Sequence, residues 1–304
     1  MPTTNGHSHK VLLQVEAAHW LTLLRQLTRA ELSAMVALSA LAGYLFTGRG
    51  WQLSGLLCLL GIWLLAAGGS ALNQWQEQDL DARMQRTRFR PLPTGQLSTK
   101  AALAISACCL FSGLLLLSLL PNGAAALLLG LLAVIWYNGI YTPLKRRTPF
   151  AALPGAVCGS LPPLIGWSAA GGSLLAPEIL ILSGTLFLWQ IPHTWLLLCH
   201  YRSDLQNSGL PNLFERLSTE QLLRINNCWL AALGLCYLLF PLFGLIANPT
   251  LSTTFLAGLT LLAFAVIKLR RQASPANSSI GLFHLTNLSM ALLLFSLILD
   301  NLIS

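Results

Sequence analysis

The stretch that decides the fold is residues 52–81, which read QLSGLLCLLGIWLLAAGGSALNQWQEQDLD. Its first 21 residues carry no charge, and about 20 apolar residues in a helix cross the roughly 30 Å hydrocarbon core of a membrane. The stretch then becomes polar and ends on three carboxylates, Glu77, Asp79 and Asp81. It therefore predicts a transmembrane helix with an acidic cluster at one end.

The rest of the chain repeats the apolar part of this pattern. Of the 304 residues, 55% are hydrophobic and 9% are charged, and the mean hydropathy is +0.65, whereas a soluble domain carries about a quarter charged residues. This composition excludes an ordinary soluble globule and a disordered chain. It predicts an all-α, polytopic membrane protein with about nine transmembrane helices. The apolar windows are roughly 30–48, 52–72, 101–120, 123–141, 150–170, 176–198, 227–247, 251–268 and 280–300.

The basic residues predict on which side of the membrane each connection between these windows lies. The chain has 18 Lys and Arg residues and a formal net charge of +8. With nine spans, seventeen of the eighteen cations fall on one side and only Arg49 on the other. Short loops rich in Lys and Arg stay in the cytoplasm, so we expect a cytoplasmic N-terminus in a bacterial inner membrane. The asymmetry accounts for the net charge without a nucleic-acid partner, and none is expected.

Two regions follow from this threading. Residues 1–29 are expected to form a cytoplasmic N-terminal segment, in which 11–29 would make an amphipathic helix at the membrane interface. Residues 30–304 form a single transmembrane domain.

Polar side chains at the end of the second window have helical spacing. Asn73, Glu77 and Asp81 are four residues apart, which places them on one helix face. Such oxygen ligands suit Mg²⁺, which binds one or two carboxylates together with substrate phosphate oxygens. The segment 83–95 adds four arginines, with Thr87 among them, and guanidinium groups match phosphate oxygens. The pattern predicts a site for a metal ion and a diphosphate; the alternative is a topogenic anchor whose acids only neutralise its arginines.

A similar arrangement recurs about 120 residues later, after the sixth window. If the helix resumes after Pro192, then His193, His200 and Asp204 lie near one face, because seven residues are nearly two turns. A further basic element, YTPLKRRT at 141–148, follows the fourth window on the same side. The two acidic half-sites are therefore expected to meet across the bundle. The fifth window is rich in proline and glycine, so we expect it to be kinked or broken beside a cavity.

The chain from about residue 25 to its end resembles a known family. Residues 73–95 are similar to the pattern N-x-x-x-D-x-D-x-D-x-x-M-x-R-T-x-x-R-P-L-x-x-G of the intramembrane prenyltransferases of the UbiA type. YTPLKRRT at 141–148, GSLPPLIGW at 159–167 and LWQIPH at 188–193 resemble its haem-modifying branch, the protohaem IX farnesyltransferases. The resemblance implies nine helices around a central cavity that opens sideways to lipid. It also implies farnesyl transfer from farnesyl diphosphate to a vinyl group of protohaem IX, giving haem O.

The resemblance implies a role for each matching residue. The catalytic set that would hold Mg²⁺ against the diphosphate is Asn73, Glu77, Asp81 and, on the second half-site, Asp204. The diphosphate oxygens would be bound by Arg86, Thr87, Arg90, Lys145 and Arg146. Apart from the resemblance, the haem chemistry suggests that His193 or His200 orients the haem iron or a propionate; the alternative for each is a satisfied polar residue at a helix end. The implied partners are the two substrates, membrane lipid, and haem A synthase or oxidase-assembly proteins.

Three positions depart from the family pattern. Glu77 stands where Asp is usual, Ser203 precedes Asp204 where a second acid is common, and Arg29-Ala30 replaces a usual Lys-Pro. Because Glu reaches one methylene further than Asp, these changes bear on the metal coordination rather than on the class of reaction.

Three other functions stay open at the level of sequence. A sister enzyme would prenylate another aromatic acceptor, such as 4-hydroxybenzoate. A transporter would bind its substrate near the midplane, which is disfavoured because the ionisable residues cluster at the inner mouth. A scaffold for respiratory-complex assembly would be favoured only if the substitutions Asp81→Ala and Glu77→Ala left the cellular haem pool unchanged.

Overall fold

The computed structural model of the chain describes residues 18–211, 213–272 and 275–303. Within these ranges the regular structure is helical and contains no strand, so the all-α prediction is confirmed. In chain order the helices are α1 (18–28), α2 (Ala30–Leu45), α3 (Leu53–Gln76), α4 (Gln78–Asp81), α5 (Thr99–Ser118), α6 (Gly123–Val134), α7 (Thr142–Leu144), α8 (Ala152–Ala169), α9 (Pro177–His200), α10 (Arg202–Ser208), α11 (Thr219–Leu242), α12 (Pro249–Gln272) and α13 (Pro275–Ile303). A π-helical segment, Ile135–Tyr141, joins α6 to α7.

Each apolar window of the sequence overlaps one helical segment, which for the fourth window is α6 together with the π-helical segment. Across the described ranges, seven helical segments are long and apolar enough to cross a membrane, and a multi-pass membrane protein is confirmed. The remaining two windows form α2 and α8, which have 16 and 18 residues. The count of nine spans and the cytoplasmic N-terminus therefore stay predictions.

The largest difference between window and helix occurs at α11. The sequence predicted a helix over 227–247, whereas α11 spans Thr219–Leu242. Its start is fixed by a capping box, in which Ser218 and Gln221 each accept a hydrogen bond from the other's backbone N–H. The backbone then turns at Gly244, whose φ is 63°, so the helix cannot extend to residue 247. Local capping therefore overrides the hydropathy window.

Helix α8 is continuous although it contains Pro162 and Pro163. Of the kink or break expected in the fifth window, the break is absent, and α9 likewise runs through Pro192. Helix α8 packs very closely on α2: a Cβ atom on Gly166 would lie 1.8 Å from the carbonyl oxygen of Ala40, and one on Gly43 would lie 2.1 Å from that of Pro163. Such small residues allow two membrane helices to approach at backbone distance.

Two large apolar clusters, each with residues of α2 and α8, form most of the core. One is built mainly from α9, α11, α12 and α13, with buried residues such as Leu182, Phe240 and Leu293. The other is built mainly from α2, α3, α5, α6 and α8, with buried residues such as Tyr44 and Ile62. Only 6% of the residues in the apolar window of α12 are buried, so this helix lies at the periphery of the bundle.

The first described helix, α1, is tied to α3. Residues 11–17 of the expected interfacial helix lie outside the described residues. Leu23 and Leu27 of α1 are buried, whereas Trp20 and Leu21 are exposed. The Nε2 atom of Gln74 donates hydrogen bonds to the carbonyl oxygens of Gln26 and Leu27, at 2.7 and 2.9 Å. These bonds satisfy carbonyls that the end of a helix leaves without partners.

Candidate active site

A cavity of about 770 Å³ is lined by residues of α2, α3, α6, α8, α9 and α13. Most of its wall is apolar, and Ile62, Leu186 and Leu294 are examples. Seven charged lining residues lie at or just beyond the helix ends that the sequence places in the cytoplasm, and one of them, Glu31, pairs with Arg25. We call the other six the charged mouth: Arg29, Glu77, Asp81, Arg86, Arg90 and Lys145.

Glu77, the first carboxylate of the site, lies at the corner between α3 and α4. The helical hydrogen bonding continues across this corner, because the N–H of Glu77 donates to the carbonyl of Asn73 and that of Asp81 to the carbonyl of Glu77. The Nδ2 atom of buried Asn73 donates to Glu77 Oε2 and to Thr142 Oγ1, both at 3.0 Å. Asn73 therefore holds Glu77 in place and ties it to α7.

Glu77 also pairs with Lys145. The Lys145 Nζ atom lies 2.6 Å from Glu77 Oε1 and 5.0 Å from the centroid of the Tyr141 ring. Burial lowers the pKa of Lys145 below its usual value, and the neighbouring Glu77 carboxylate opposes this shift. The contact joins the sequence elements 73–95 and 141–148 at one point.

Asp81 pairs with Arg90, one loop further along the chain. The Nη1 atom of Arg90 lies 2.7 and 2.6 Å from the two carboxylate oxygens of Asp81. Thr87 is buried and donates to the backbone carbonyl of Asp81 at 3.0 Å, so it holds the 83–95 loop against α4. Burial lowers the pKa of Arg90, with repulsion from Arg29 adding to the shift and Asp81 opposing it.

The second half-site reaches the same mouth. Helix α9 ends at His200, and Asp204 lies on the separate short helix α10. Buried Asp204 accepts a hydrogen bond from the backbone N–H of Arg86 at 3.0 Å. The guanidinium of Arg86 lies 5.3 Å from the ring centroid of Tyr201. The two acidic segments therefore lie at one end of the bundle and share a direct contact.

Arg146 points away from the charged mouth. Its guanidinium donates to both carboxylate oxygens of Asp79, at 3.1 and 2.7 Å, and to the carbonyl of Gln76 at 2.8 Å. Both side chains of the ion pair are more than 40% exposed. Arg146 thereby holds the pKa of Asp79 below its usual value. Of the five residues expected to bind diphosphate, Arg86, Arg90 and Lys145 line the cavity, whereas Thr87 and Arg146 do not.

Arg29 belongs to the charged mouth although its sequence context suggested only topogenic charge and a departure from the family pattern. Within the described residues it is the one non-glycine residue with positive φ, at 46°. Its buried Nε atom has no hydrogen-bond partner, and its Nη2 atom lies 3.5 Å from Asn73 Oδ1. A left-handed conformation costs a non-glycine residue about 1–2 kcal/mol. Only the fold, which brings the α1–α2 junction to Asn73, identifies this residue.

The two candidate histidines have different environments. His193 lines the cavity and its Nδ1 atom lies 2.7 Å from Asn287 Oδ1. His200 is exposed at the last position of α9 and packs on Tyr201. Because α9 ends there, His193, His200 and Asp204 do not share one continuous helix.

The donor chemistry of the mouth fits Mg²⁺. Glu77 and Asp81 both line the cavity, and Mg²⁺ is generally held by one or two carboxylates plus substrate phosphates rather than by a complete protein cage. In the described part of the chain, no group of three or more His, Cys, Asp and Glu side chains lies close enough together to hold a metal ion. The ion pairs with Lys145 and Arg90 keep both carboxylates charge-balanced.

An apolar cavity within a membrane bundle, with carboxylates and cations at one mouth, suits an intramembrane enzyme whose substrate has an anionic head group and an apolar tail. The family model described as the UbiA prenyltransferase family matches residues 36–288, and the chain belongs to this family.

Curated relatives match most of the chain. A protoheme IX farnesyltransferase of Geobacter sulfurreducens is 42% identical over 252 residues, which are 82% of this chain and 90% of the relative. A protoheme IX farnesyltransferase of Oleidesulfovibrio alaskensis is 40% identical over 281 residues, which are 91% of this chain and 96% of the relative.

Solved structures share the fold. A UbiA homolog from Aeropyrum pernix has a TM-score of 0.72 and 21% identity, covering 89% of this chain and 98% of its own. A UbiA homolog from Archaeoglobus fulgidus bound to DMAPP and Mg²⁺ has a TM-score of 0.64 and 17% identity, covering 90% of this chain and 98% of its own. The helical bundle is therefore common to the family.

Proposed function

We propose that this chain transfers a farnesyl group from farnesyl diphosphate to a vinyl group of protohaem IX and produces haem O. The observation that carries the proposal is the charged mouth on an apolar cavity, together with the acceptor named for the relatives that match most of the chain. Its place would be the bacterial inner membrane, where the product is available for oxidase assembly and to a haem A synthase.

The charges of the mouth suit a leaving diphosphate. Arg29, Arg86, Arg90 and Lys145 contribute four positive charges to the lining. As the allylic C–O bond breaks, its electron pair moves to the diphosphate oxygen, and preorganised cations stabilise that developing charge. Glu77 and Asp81, positioned by Asn73 and Thr87, would hold Mg²⁺, with Asp204 fixing the facing segment. When bound, Mg²⁺ supplies Lewis-acid neutralisation of the diphosphate oxygens.

The apolar wall suits the two steps that follow ionisation, which are the shielding of the farnesyl cation and its attack by the vinyl group. The farnesyl cation that remains after ionisation must be shielded from bulk water, and an apolar wall that includes Ile62, Leu186 and Leu294 suits this role. The vinyl π electrons then form a C–C bond to carbon 1 of the farnesyl chain. The positive charge moves to the carbon beside the porphyrin, where water adds its oxygen and loses a proton. The product carries a hydroxyethylfarnesyl group, and diphosphate is released.

Reconstitution of the purified protein tests this function. The protein in nanodiscs receives farnesyl diphosphate and Mg²⁺ with either protohaem IX or 4-hydroxybenzoate, and the products are identified by mass spectrometry. We expect only haem O, with turnover lost on chelation and restored by added Mg²⁺. Prenylation of 4-hydroxybenzoate alone would contradict the acceptor, and turnover that survives chelation would contradict the metal requirement. Mass analysis of haems from cells with and without the gene provides an independent check.

A further inference from the structure

The deeper wall of the cavity contains a histidine that the diphosphate chemistry does not use. His193 lies seven residues before the end of α9, which is roughly 10 Å further into the bundle than His200. Its ring packs between Trp189 and Phe283, with centroid distances of 4.6 and 4.8 Å. Trp189 is itself fixed, because its Nε1 atom donates to the carbonyl of Thr286 at 3.2 Å. The imidazole is therefore held in one orientation on the cavity wall.

The hydrogen bond with Asn287 determines which ring nitrogen is available. With the amide oxygen of Asn287 2.7 Å from Nδ1, Nδ1 carries the proton and donates it. In the neutral ring, Nε2 then keeps its lone pair. Within the described residues Nε2 has no hydrogen-bond donor. His193 and Asn287 both line the cavity, so this lone pair is left for a ligand that occupies it.

A Lewis-acidic metal centre in an apolar molecule matches this arrangement. Neutral imidazole is a common axial ligand of haem iron. Metal-ligating histidines almost always donate their other ring N–H to an oxygen acceptor, which fixes the tautomer and orientation. Asn287 supplies such an acceptor from a different helix, α13.

We propose that His193 binds the iron of the haem substrate through Nε2 and that Asn287 is the positioning residue that presents it. This inference rests on the proposed function, because it requires haem as the acceptor. Iron bound at this depth would anchor the macrocycle in the apolar part of the cavity, while its edge extends toward the diphosphate at the charged mouth. His200, which is exposed and outside the lining, has no part in iron binding.

Binding of ferric protohaem IX, without turnover, tests the proposal. Wild-type protein in nanodiscs is titrated with haem, and absorbance and electron paramagnetic resonance spectra are recorded. We expect spectra of nitrogen-ligated iron. His193→Ala should lose this signature and bind haem at least about tenfold more weakly, with the spectrum restored by added imidazole. Asn287→Leu should keep the signature and weaken binding about tenfold, as is typical when a metal ligand loses its orienting partner.

Matched variants separate ligation from folding. His284→Ala removes the exposed histidine of α13 next to Phe283 and should change neither affinity nor spectrum. His193→Met keeps a side chain of similar length and should replace the nitrogen signature with that of thioether-ligated iron. Binding of a non-hydrolysable farnesyl diphosphate analogue confirms that each variant is folded.

Two outcomes overturn the inference in different ways. Wild-type affinity and spectrum in both His193→Ala and His193→Met would refute iron ligation by His193 while leaving haem as the acceptor. Wild-type protein that binds no haem but prenylates a phenolic acid would refute the proposed function as well.

Discussion

Both carboxylate oxygens of Asp81 lie within 2.7 Å of a single atom, Nη1 of Arg90. The pair is largely buried, with 17% of the Arg90 side chain and 6% of the Asp81 side chain exposed. A charge buried this deeply needs a partner, and removing one member leaves the other uncompensated. The pair thus keeps a carboxylate and a cation together at the place where metal and diphosphate are expected.

Asp81→Asn should lower kcat/KM for farnesyl transfer by at least about 100-fold, because it removes a charge from a preorganised site. The amide keeps the shape of the side chain, so the protein should still insert and fold. Asp79→Asn is the matched control: Asp79 is half exposed and pairs with Arg146 outside the cavity lining. Activity above half of the wild-type value in Asp81→Asn would contradict the site.

Arg29→Gly separates charge from conformation. Glycine adopts the left-handed backbone of position 29 without strain, so the free energy of unfolding should stay constant or rise by about 1 kcal/mol. Loss of the cation should raise the KM for farnesyl diphosphate about tenfold or more, since a hydrogen bond to a charged group contributes about 1.5–3 kcal/mol. Steady-state kinetics and thermal unfolding in nanodiscs measure the two effects.

Arg25→Ala is the control for Arg29→Gly. Arg25 forms an exposed ion pair with Glu31, and exposed ion pairs contribute little. Equal changes of KM in the two variants would show that position 29 has no special role.

Lys145 should limit diphosphate binding at alkaline pH. Burial lowers its pKa, and the charged form exists only below that pKa. Binding that depends on the ammonium should therefore be present near neutral pH and be lost as the pH rises through a value below that of an ordinary lysine. Lys145→Arg should extend binding to higher pH, because a guanidinium keeps its charge above pH ~12. Titrations with pyrophosphate and Mg²⁺ across the pH range measure this loss of binding. If binding were lost at the same pH in Lys145→Arg as in the wild type, Lys145 would not be its cause.

Arg146 and Arg90 should differ although both were expected to bind diphosphate. The exposed Arg146 pairs with Asp79, and such surface pairs contribute about 0–1 kcal/mol. Arg146→Ala should therefore raise the KM for farnesyl diphosphate less than about fivefold, whereas Arg90→Ala should raise it at least about tenfold. A larger rise in KM for Arg146→Ala than for Arg90→Ala would mean that Arg146 moves to the charged mouth when the substrate binds.

Gly166→Ala tests the close crossing of α2 and α8. Its Cβ would lie 1.8 Å from the carbonyl oxygen of Ala40, so the helices must separate, and such overpacking costs about 1–3 kcal/mol. Gly184→Ala is the control, because a Cβ there meets nothing within 4 Å and alanine favours a helix. Thermal unfolding should show a lower midpoint only for Gly166→Ala, and equal midpoints would contradict the packing.

Several features were predictable because they depend on short stretches of chain. Apolar length alone located all nine windows, and the spacing of Asn73, Glu77 and Asp81 placed them along one helical face, a relation that the hydrogen bonds across the α3–α4 corner preserve. Hydropathy alone did not locate a helix start that is determined by capping residues. The start of α11 at Thr219 follows from Ser218 and Gln221, which a hydropathy window does not weigh.

Sequence by itself determined the helical membrane class and the helical face that Glu77 and Asp81 share, because these depend on composition and on spacing within one helix. The resemblance to the family then singled out Arg86, Arg90 and Lys145. Only the tertiary structure decided that Arg29 joins the mouth while Arg146 turns outward, and that His193, through Asn287, lies on the cavity wall. The physical reason is that each of these contacts joins helices distant in sequence. Their packing therefore sets which side chains meet, and no pattern within a single segment carries that information.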